Sequence, residues 1–389
     1  MLEPKLWTRD FFIICLSNFL IGFSFYLVGT SMPFYIVEQF KTDTTTTGLI
    51  LASYITAALA VRPFSGYLVD RFPRKNVLLI SLAFFILIFY GYMQAKILIL
   101  FLLFRISHGF TWGITTTASS TLAIDVIPSK KRGEGVGFFG LTSTLAMSIG
   151  PMLGLFIYEH YPFEYNFYAA ITIGLIALLL ILTVKPPVRP SVATQAITLD
   201  RFILVKAIPI GINLLGIALC YGALFAFAAM YGKQLQVENT GMFFMMMAIG
   251  MTASRFFAGK IIDRGYIHQL VLGALGLLAL SFIAFGMATS PVLFFATSFF
   301  IGIGYGVLSP AFQTLFVNMA TPDKRGTANS TYFSFYDLGI GLGMVASGKI
   351  ASLFDMGTIF ICGGALCFAA IGYYLLVTKK LYEKNKIAE

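Results

Sequence analysis

Long apolar stretches follow one another along nearly the whole of this 389-residue chain, broken at short intervals by polar or Gly/Pro punctuation. They lie near 11–37, 47–69, 76–95, 97–124, 135–158, 165–184, 203–231, 241–262, 268–288, 291–319, 327–351 and 357–378. A helix needs about 20 residues to cross a hydrocarbon core of ~30 Å. Lipid offers no partner to an open backbone, so each stretch is expected to be a spanning α-helix. The pattern predicts twelve. Two joints rest on little: Lys96 alone separates the third and fourth spans, and Thr289-Ser290-Pro291 separates the ninth and tenth. The first run is too long for a cleaved signal and lacks a small-residue cleavage site, so it reads as a retained helix.

Composition agrees with a bilayer as solvent. Charged residues make up 11% of the chain and mean hydropathy is +0.84, whereas a soluble domain carries roughly a quarter charged residues. Cys15, Cys220, Cys362 and Cys367 sit inside apolar runs without ligand-like spacing, which excludes a disulfide framework and a zinc site. The formal net charge of +10 could point to nucleic acid, but its distribution does not. With the N-terminus inside, the inner segments hold 20 of the 27 Lys and Arg and the outer segments four, Lys41, Lys96, Lys233 and Lys349. Positive loops stay in the cytoplasm. The expected protein is a multi-pass protein of the inner (cytoplasmic) membrane with both termini cytoplasmic, the bilayer as a partner, and no nucleic acid.

The two halves repeat. At an offset of 193 residues Arg62 matches Arg255, Gly66 matches Gly259, Asp70 matches Asp263 and Arg71 matches Arg264. The same offset aligns Gly109 with Gly302, Gly113 with Gly306, Arg132 with Arg325 and Gly133 with Gly326. The expected organisation is a six-helix bundle over 1–184, a cytoplasmic linker over 185–202, and a second six-helix bundle with a short tail over 203–389. The fold class is all-α integral membrane: twelve transmembrane helices in two parallel, pseudo-symmetric six-helix bundles. Such halves, with a substrate site at their interface, are an alternating-access transporter architecture.

The stretch Gly66-x-x-x-Asp70-Arg71-x-x-Arg74-Lys75 resembles the loop 2–3 signature of the major facilitator superfamily, with a weaker copy at Gly259, Asp263 and Arg264. The resemblance covers the whole chain. It implies that this loop fastens the cytoplasmic side when the transporter is open outward. Asp70 would then take part in a charge relay with nearby arginines and the end of the eleventh-span helix. Pro73 stands where the family carries glycine, and the second copy lacks the basic pair, with Ile267 and His268 in its place. Two more segments resemble the 12-span drug:proton antiporter branch. RISHGFTWG (105–113) matches its fourth-span motif. GLTSTLAMSIGPMLG (140–154) matches its fifth-span antiporter motif in Gly150, Pro151 and Gly154, with Thr142 and Ala146 at degraded glycine positions. Gly and Pro also serve simple close packing of transmembrane helices.

Of 17 acidic residues, sixteen fall in loops, termini or near span ends. Asp337 lies eleven residues past Gly326, roughly 16 Å into its span. An intramembrane carboxylate is a functional site by default, so Asp337 is the candidate proton carrier; the alternative is a structural Asp satisfied by neighbouring helices. Arg105, inside the fourth span, is the candidate partner or substrate clamp. His108, three residues on, shares its face and titrates near neutral pH. Asp125 and Arg132 join the loop 2–3 residues as gate elements. Candidate cavity residues are Tyr26, Thr30, Trp112, Thr115, Asn213, Tyr221, Gln313, Tyr332 and Tyr336. The methionines of 241–251 face all round a helix and read as packing, not a copper site. The expected function is proton-coupled efflux of a small amphipathic organic compound or drug by a functional monomer. No metal or cofactor beyond the proton is expected, and no enzymatic activity. A symporter or facilitator for a sugar or organic acid, and a non-transporting membrane sensor, stay open.

Overall fold

The structure, a computed structural model, describes residues 5–42, 44–185 and 199–387. Residues 186–198 of the expected linker lie outside them. Among the described residues twelve helices follow the twelve apolar stretches. They are α1 (Arg9–Phe40), α2 (Thr44–Arg71), α3 (Arg74–Gln94), α4 (Leu98–Val126), α5 (Arg132–His160), α6 (Glu164–Thr183), α7 (Ile208–Gln234), α8 (Met242–Ile261), α9 (Ile267–Gly286), α10 (Pro291–Asn318), α11 (Arg325–Leu353) and α12 (Met356–Tyr373), with a short α13 (Lys379–Asn385) after them. No strand occurs among the described residues. Among the described residues ten stretches are long and apolar enough to cross a membrane, one of them holding both α8 and α9; α11 is not among the ten. Its first half, with Thr327, Asn329, Ser330, Thr331, Ser334 and Asp337, is too polar.

Both weak joints are real breaks. The backbone is extended at Ala95 and Ile97, on either side of Lys96. Ser290 caps α10, its hydroxyl accepting from the Leu293 amide. The two copies of the charged stretch turn differently. Phe72 and Pro73 end α2 and open α3, whereas α8 runs into α9 through a single π turn, Ile262–Tyr266. That turn depends on Gly265 at φ 89°, a left-handed conformation that favours glycine.

The chain divides into two compact units. One comprises Met1–Pro128, Thr142–Ile203 and Asp323–Ser330; the other comprises Ser129–Leu141, Leu204–Pro322 and Thr331–Glu389. Within the first, α2 packs on α4, α3 on α4 and α6, and α1 on α6. Within the second, α8 packs on α10, α9 on α10 and α12, and α7 on α12. The same pairs recur six helices later, and the register repeats to the residue. A Cβ on Gly113 would lie 3.0 Å from the Ala58 carbonyl oxygen, and one on Gly306 2.6 Å from that of Met251. Both pairs are related by the 193-residue offset. Where lipid supplies no hydrophobic drive between helices, such small-residue contacts set how closely backbones approach.

Candidate functional site

Asp70 closes α2 against the start of α11. Its Oδ1 accepts from the Gly326 amide at 2.7 Å; its Oδ2 accepts from the Thr327 amide at 2.7 Å and the Thr327 hydroxyl at 2.8 Å. The carboxylate thus sits on the positive end of a helix dipole, the usual seat of an anion. Arg74, one turn on, reaches Asp70 Oδ1 at 3.2 Å and also pairs with Asp125 at the end of α4. Arg325 adds a contact of 3.5 Å to Asp125. Glycine permits the crossing, since a Cβ on Gly66 would lie 2.9 Å from Thr327 Cα. Arg71 points out and bonds Tyr67. Lys75 donates to the Leu182 and Val184 carbonyls at 2.7 and 2.8 Å, closing the end of α6.

In the other unit Asp263 does the same for α5. Its Oδ1 accepts from the Gly133 amide at 2.6 Å and its Oδ2 from the Glu134 amide at 2.9 Å. A Cβ on Gly259 would lie 2.7 Å from the Glu134 nitrogen. The position of Arg74 is taken by Ile267, and no ion pair to Asp263 occurs among the described residues. Arg132 is buried and donates to Asn318 Oδ1 at 2.7 Å. Arg264 is exposed. The two copies therefore share the backbone cap and differ in the salt bridge.

The interior of the first unit holds a cation in an aromatic box. Arg105 is 5% exposed, with its guanidinium 4.9 Å from the centre of the Tyr54 ring. No acidic side chain pairs with it among the described residues, although burying an unpaired charge is costly. His108 accepts from or donates to the Tyr92 hydroxyl at 3.0 Å through Nδ1. Its Nε2 has no partner among the described residues, and its ring is walled by Phe85 at 4.4 Å and Phe89 at 4.8 Å. Trp112 stacks on Phe25 at 4.4 Å, and Phe25 meets Tyr26 at 5.1 Å. Arg62, by contrast, is spent on the Gly113 carbonyl and the Thr116 hydroxyl at 3.2 and 2.6 Å.

The interior of the second unit holds the anion. Asp337 is the thirteenth of the 29 residues of α11 and half-buried, within electrostatic reach of Tyr332 and Tyr336. Those rings stack at 6.0 Å, and Tyr336 meets Tyr221 at 6.0 Å. Tyr332 shares a hydrogen bond of 3.1 Å with Ser309. Buried Arg255 lies within reach of Tyr221, Tyr332 and Tyr336, and Gln313 is buried on α10.

A family model described as the Major Facilitator Superfamily matches residues 14–283 and 237–389. The chain belongs to the major facilitator superfamily. It is therefore a multi-pass membrane transporter and not an enzyme. The staphylopine export protein of Staphylococcus aureus (strain Mu50 / ATCC 700699) is 25% identical over 82% of this chain and 84% of its own. The multidrug resistance protein MdtG of Salmonella heidelberg (strain SL476) is 25% identical over 95% of each. The fold also matches the crystal structure of the human organic anion transporter MFSD10, with a TM-score of 0.82 at 18% identity over 94% of this chain and 98% of that one.

The fifth-span residues of this superfamily member form a close contact with α1. Cβ atoms on Gly150 and Gly154 would lie 2.8 Å from Tyr26 Cβ and from the Leu27 carbonyl carbon, and Pro151 stands inside α5. Three cavity candidates make hydrogen bonds within their own unit, although Asn213 Oδ1 has no partner among the described residues. Thr30 donates to the Tyr26 carbonyl at 3.2 Å, Thr115 to Ser81 at 2.9 Å, and Asn213 to the Ala370 carbonyl and Thr378 at 3.2 Å each. Sequence reasoning passed over Tyr54, the ring under Arg105, and Thr327, which gives Asp70 two of its bonds. The repeat register, which pairs Gly133 with Gly326, was the signal for the capping amides.

Proposed function

We propose that this transporter exports a small amphipathic organic compound in exchange for protons carried by Asp337. What carries the reading is the place of Asp337: the other acidic residues of the spanning helices stand at their ends. A carboxylate there loads a proton from one side and releases it to the other as its surroundings change. Arg105 is a buried cation without an acid beside it, which suits it to hold an anionic group of the substrate or to steer the proton carrier. The export direction draws on the relatives named for export and multidrug resistance. Asp70 and Asp263 are assigned to the gate; their caps hold two helix crossings closed and must break when it opens. The positive-inside distribution supports cytoplasmic termini and an inner-membrane location. The reading takes a monomer, needs no cofactor besides the proton and involves no nucleic acid.

The test uses everted membrane vesicles with respiration-driven acid interiors and a pH-sensitive dye, challenged with a panel of cationic, zwitterionic and anionic amphiphiles. Proton release by wild type that Asp337→Asn abolishes is the expected result. Release that survives Asp337→Asn removes Asp337 as the carrier. Proton-coupled movement of a panel compound in the opposite direction replaces export with uptake.

A further inference from the structure

A cavity of about 240 Å³ opens in the second unit, lined by the 3-10 turn before α5, the π turn between α8 and α9, the end of α10, and α13. The export reading makes no use of it. Three cationic side chains line it: exposed Lys130, buried Arg132, and Lys386 just past α13. The Glu383 carboxylate beside Lys386 holds that ammonium above its ordinary value, so it stays charged through the neutral range. Two carboxylates also face the space, but both are occupied. Asp263 caps α5 through both oxygens. Glu383 is bonded to His268 Nε2 at 2.8 Å and to Lys386 Nζ at 2.6 Å.

What the wall leaves unused is donors. Lys130 has no partner among the described residues, and the Lys386 ammonium keeps hydrogens beyond the one given to Glu383. Thr314 decides the matter. Its side chain is 2% exposed, it lines the cavity, and its Oγ1 has no hydrogen-bond partner among the described residues. A buried hydroxyl with nothing to bond is rare in a folded protein. Ammonium groups from two segments line one volume, and the Thr314 hydroxyl lies buried in its wall. A tetrahedral oxyanion offers each of them an oxygen, and charge-assisted bonds of this kind are the strong ones.

We propose that this cavity binds a phosphate ester. The space exceeds what a bare phosphate fills and leaves room for a glycerol-sized substituent. A phospholipid headgroup and a soluble phosphate ester present the same chemistry, and the cavity opens where α10 and the π turn end, at the limit of their apolar stretches. The bound phosphate ties Lys386, beyond α13, to Lys130, before α5. Occupancy therefore braces the cap that Asp263 makes on α5.

The test follows thermal unfolding of the full chain in phosphatidylcholine nanodiscs with a thiol-reactive dye. One arm adds 30 mol% phosphatidylglycerol; the other adds sn-glycerol 3-phosphate, each against chloride at equal ionic strength. Wild type is expected to gain about 3 °C or more in at least one arm. The double variant Lys130→Gln, Lys386→Gln loses most of that gain, and Thr314→Val loses part of it. Lys233→Gln, at an exposed position in the same unit, keeps it all. A gain only with phosphatidylglycerol identifies a headgroup site, and a gain with glycerol phosphate a soluble ester. No gain in either arm overturns the proposal, as does a gain that the double variant and Thr314→Val both retain.

Discussion

Replacing Asp70 by Asn keeps shape and removes charge, which isolates what the carboxylate contributes. Asp70 is 4% exposed and receives four bonds: the Gly326 amide, the Thr327 amide and hydroxyl, and Arg74. An asparagine offers one oxygen, and its NH₂ must face an N–H on the other side. At least one buried amide is orphaned, at about 1–3 kcal/mol. Arg74, 3% exposed, also drops from two carboxylates to one, so the closed contact loses roughly 3–5 kcal/mol in all. Asp263→Asn orphans one amide and breaks no ion pair, roughly 1–3 kcal/mol, or 5- to 150-fold. A cysteine probe reads the difference. Ser330 is fully buried beside Gly66, and of the native cysteines only Cys362 is exposed. In a Ser330→Cys, Cys362→Ala background, maleimide labelling tracks the fraction of open molecules when closing is fast. Asp70→Asn should speed labelling by about 100-fold or more, and by more than Asp263→Asn does, roughly 30-fold more at the middle of the two ranges. Equal effects, or under about threefold for Asp70→Asn, would refute the idea that charge and not shape holds this crossing.

Gly154→Ala sets a methyl against the Leu27 carbonyl carbon at 2.8 Å, whereas Gly216→Ala meets nothing within 4 Å. The first should cost about 1–3 kcal/mol and the second nothing, read as heat-inactivation midpoints. Tyr54→Phe removes a buried hydroxyl without a partner among the described residues and should leave stability unchanged or raised. Tyr54→Leu takes the ring from under Arg105 and should cost about 0.5–2 kcal/mol by the same assay. Asp355 caps α12, and the bonds from the Thr358 hydroxyl and amide hold its carboxyl below its ordinary 3.8. A lowered value means the cap is fully present above pH 3.8 and lost only as pH falls through the depressed value. Hydrogen exchange at the Thr358 amide should stay slow at pH 4, and Asp355→Ala should speed it at pH 4 and above.

The fold was legible because lipid leaves a spanning segment little choice but a helix, so twelve apolar stretches became twelve helices even where only Lys96 or Ser290 marks the joint. The glycine register was legible for the same kind of reason: backbone contact admits few residue types. Helix facing was not. A span that is apolar all round carries no phase, so residue type alone did not show that Thr115 bonds Ser81 or that the Asn213 amide nitrogen bonds the Ala370 carbonyl of α12. Tyr54 went unseen because a tyrosine in an apolar run looks like any other large side chain until the cation above it is placed. The turn at Gly265 was equally hidden, since the charged stretch reads as a loop while its backbone stays helical but for that one residue.

The polarity of α11 bears on how the protein is made. A helix with an aspartate near its middle, a residue worth about +2.5 to +3.5 kcal/mol against insertion, gains little by leaving the translocon alone. Its welcome lies on α7. Cβ atoms on Gly339 and Gly343 would lie 2.7 Å from the Leu215 carbonyl oxygen and 2.8 Å from the Leu219 carbonyl carbon; one on Gly222 would lie 2.9 Å from the Ile340 carbonyl carbon. α7 is synthesised about a hundred residues earlier and must wait in the bilayer with this groove open. Assembly of the second unit is thus ordered by synthesis: α7 to α10 enter first, and the helix that carries Asp337 is admitted into company already present.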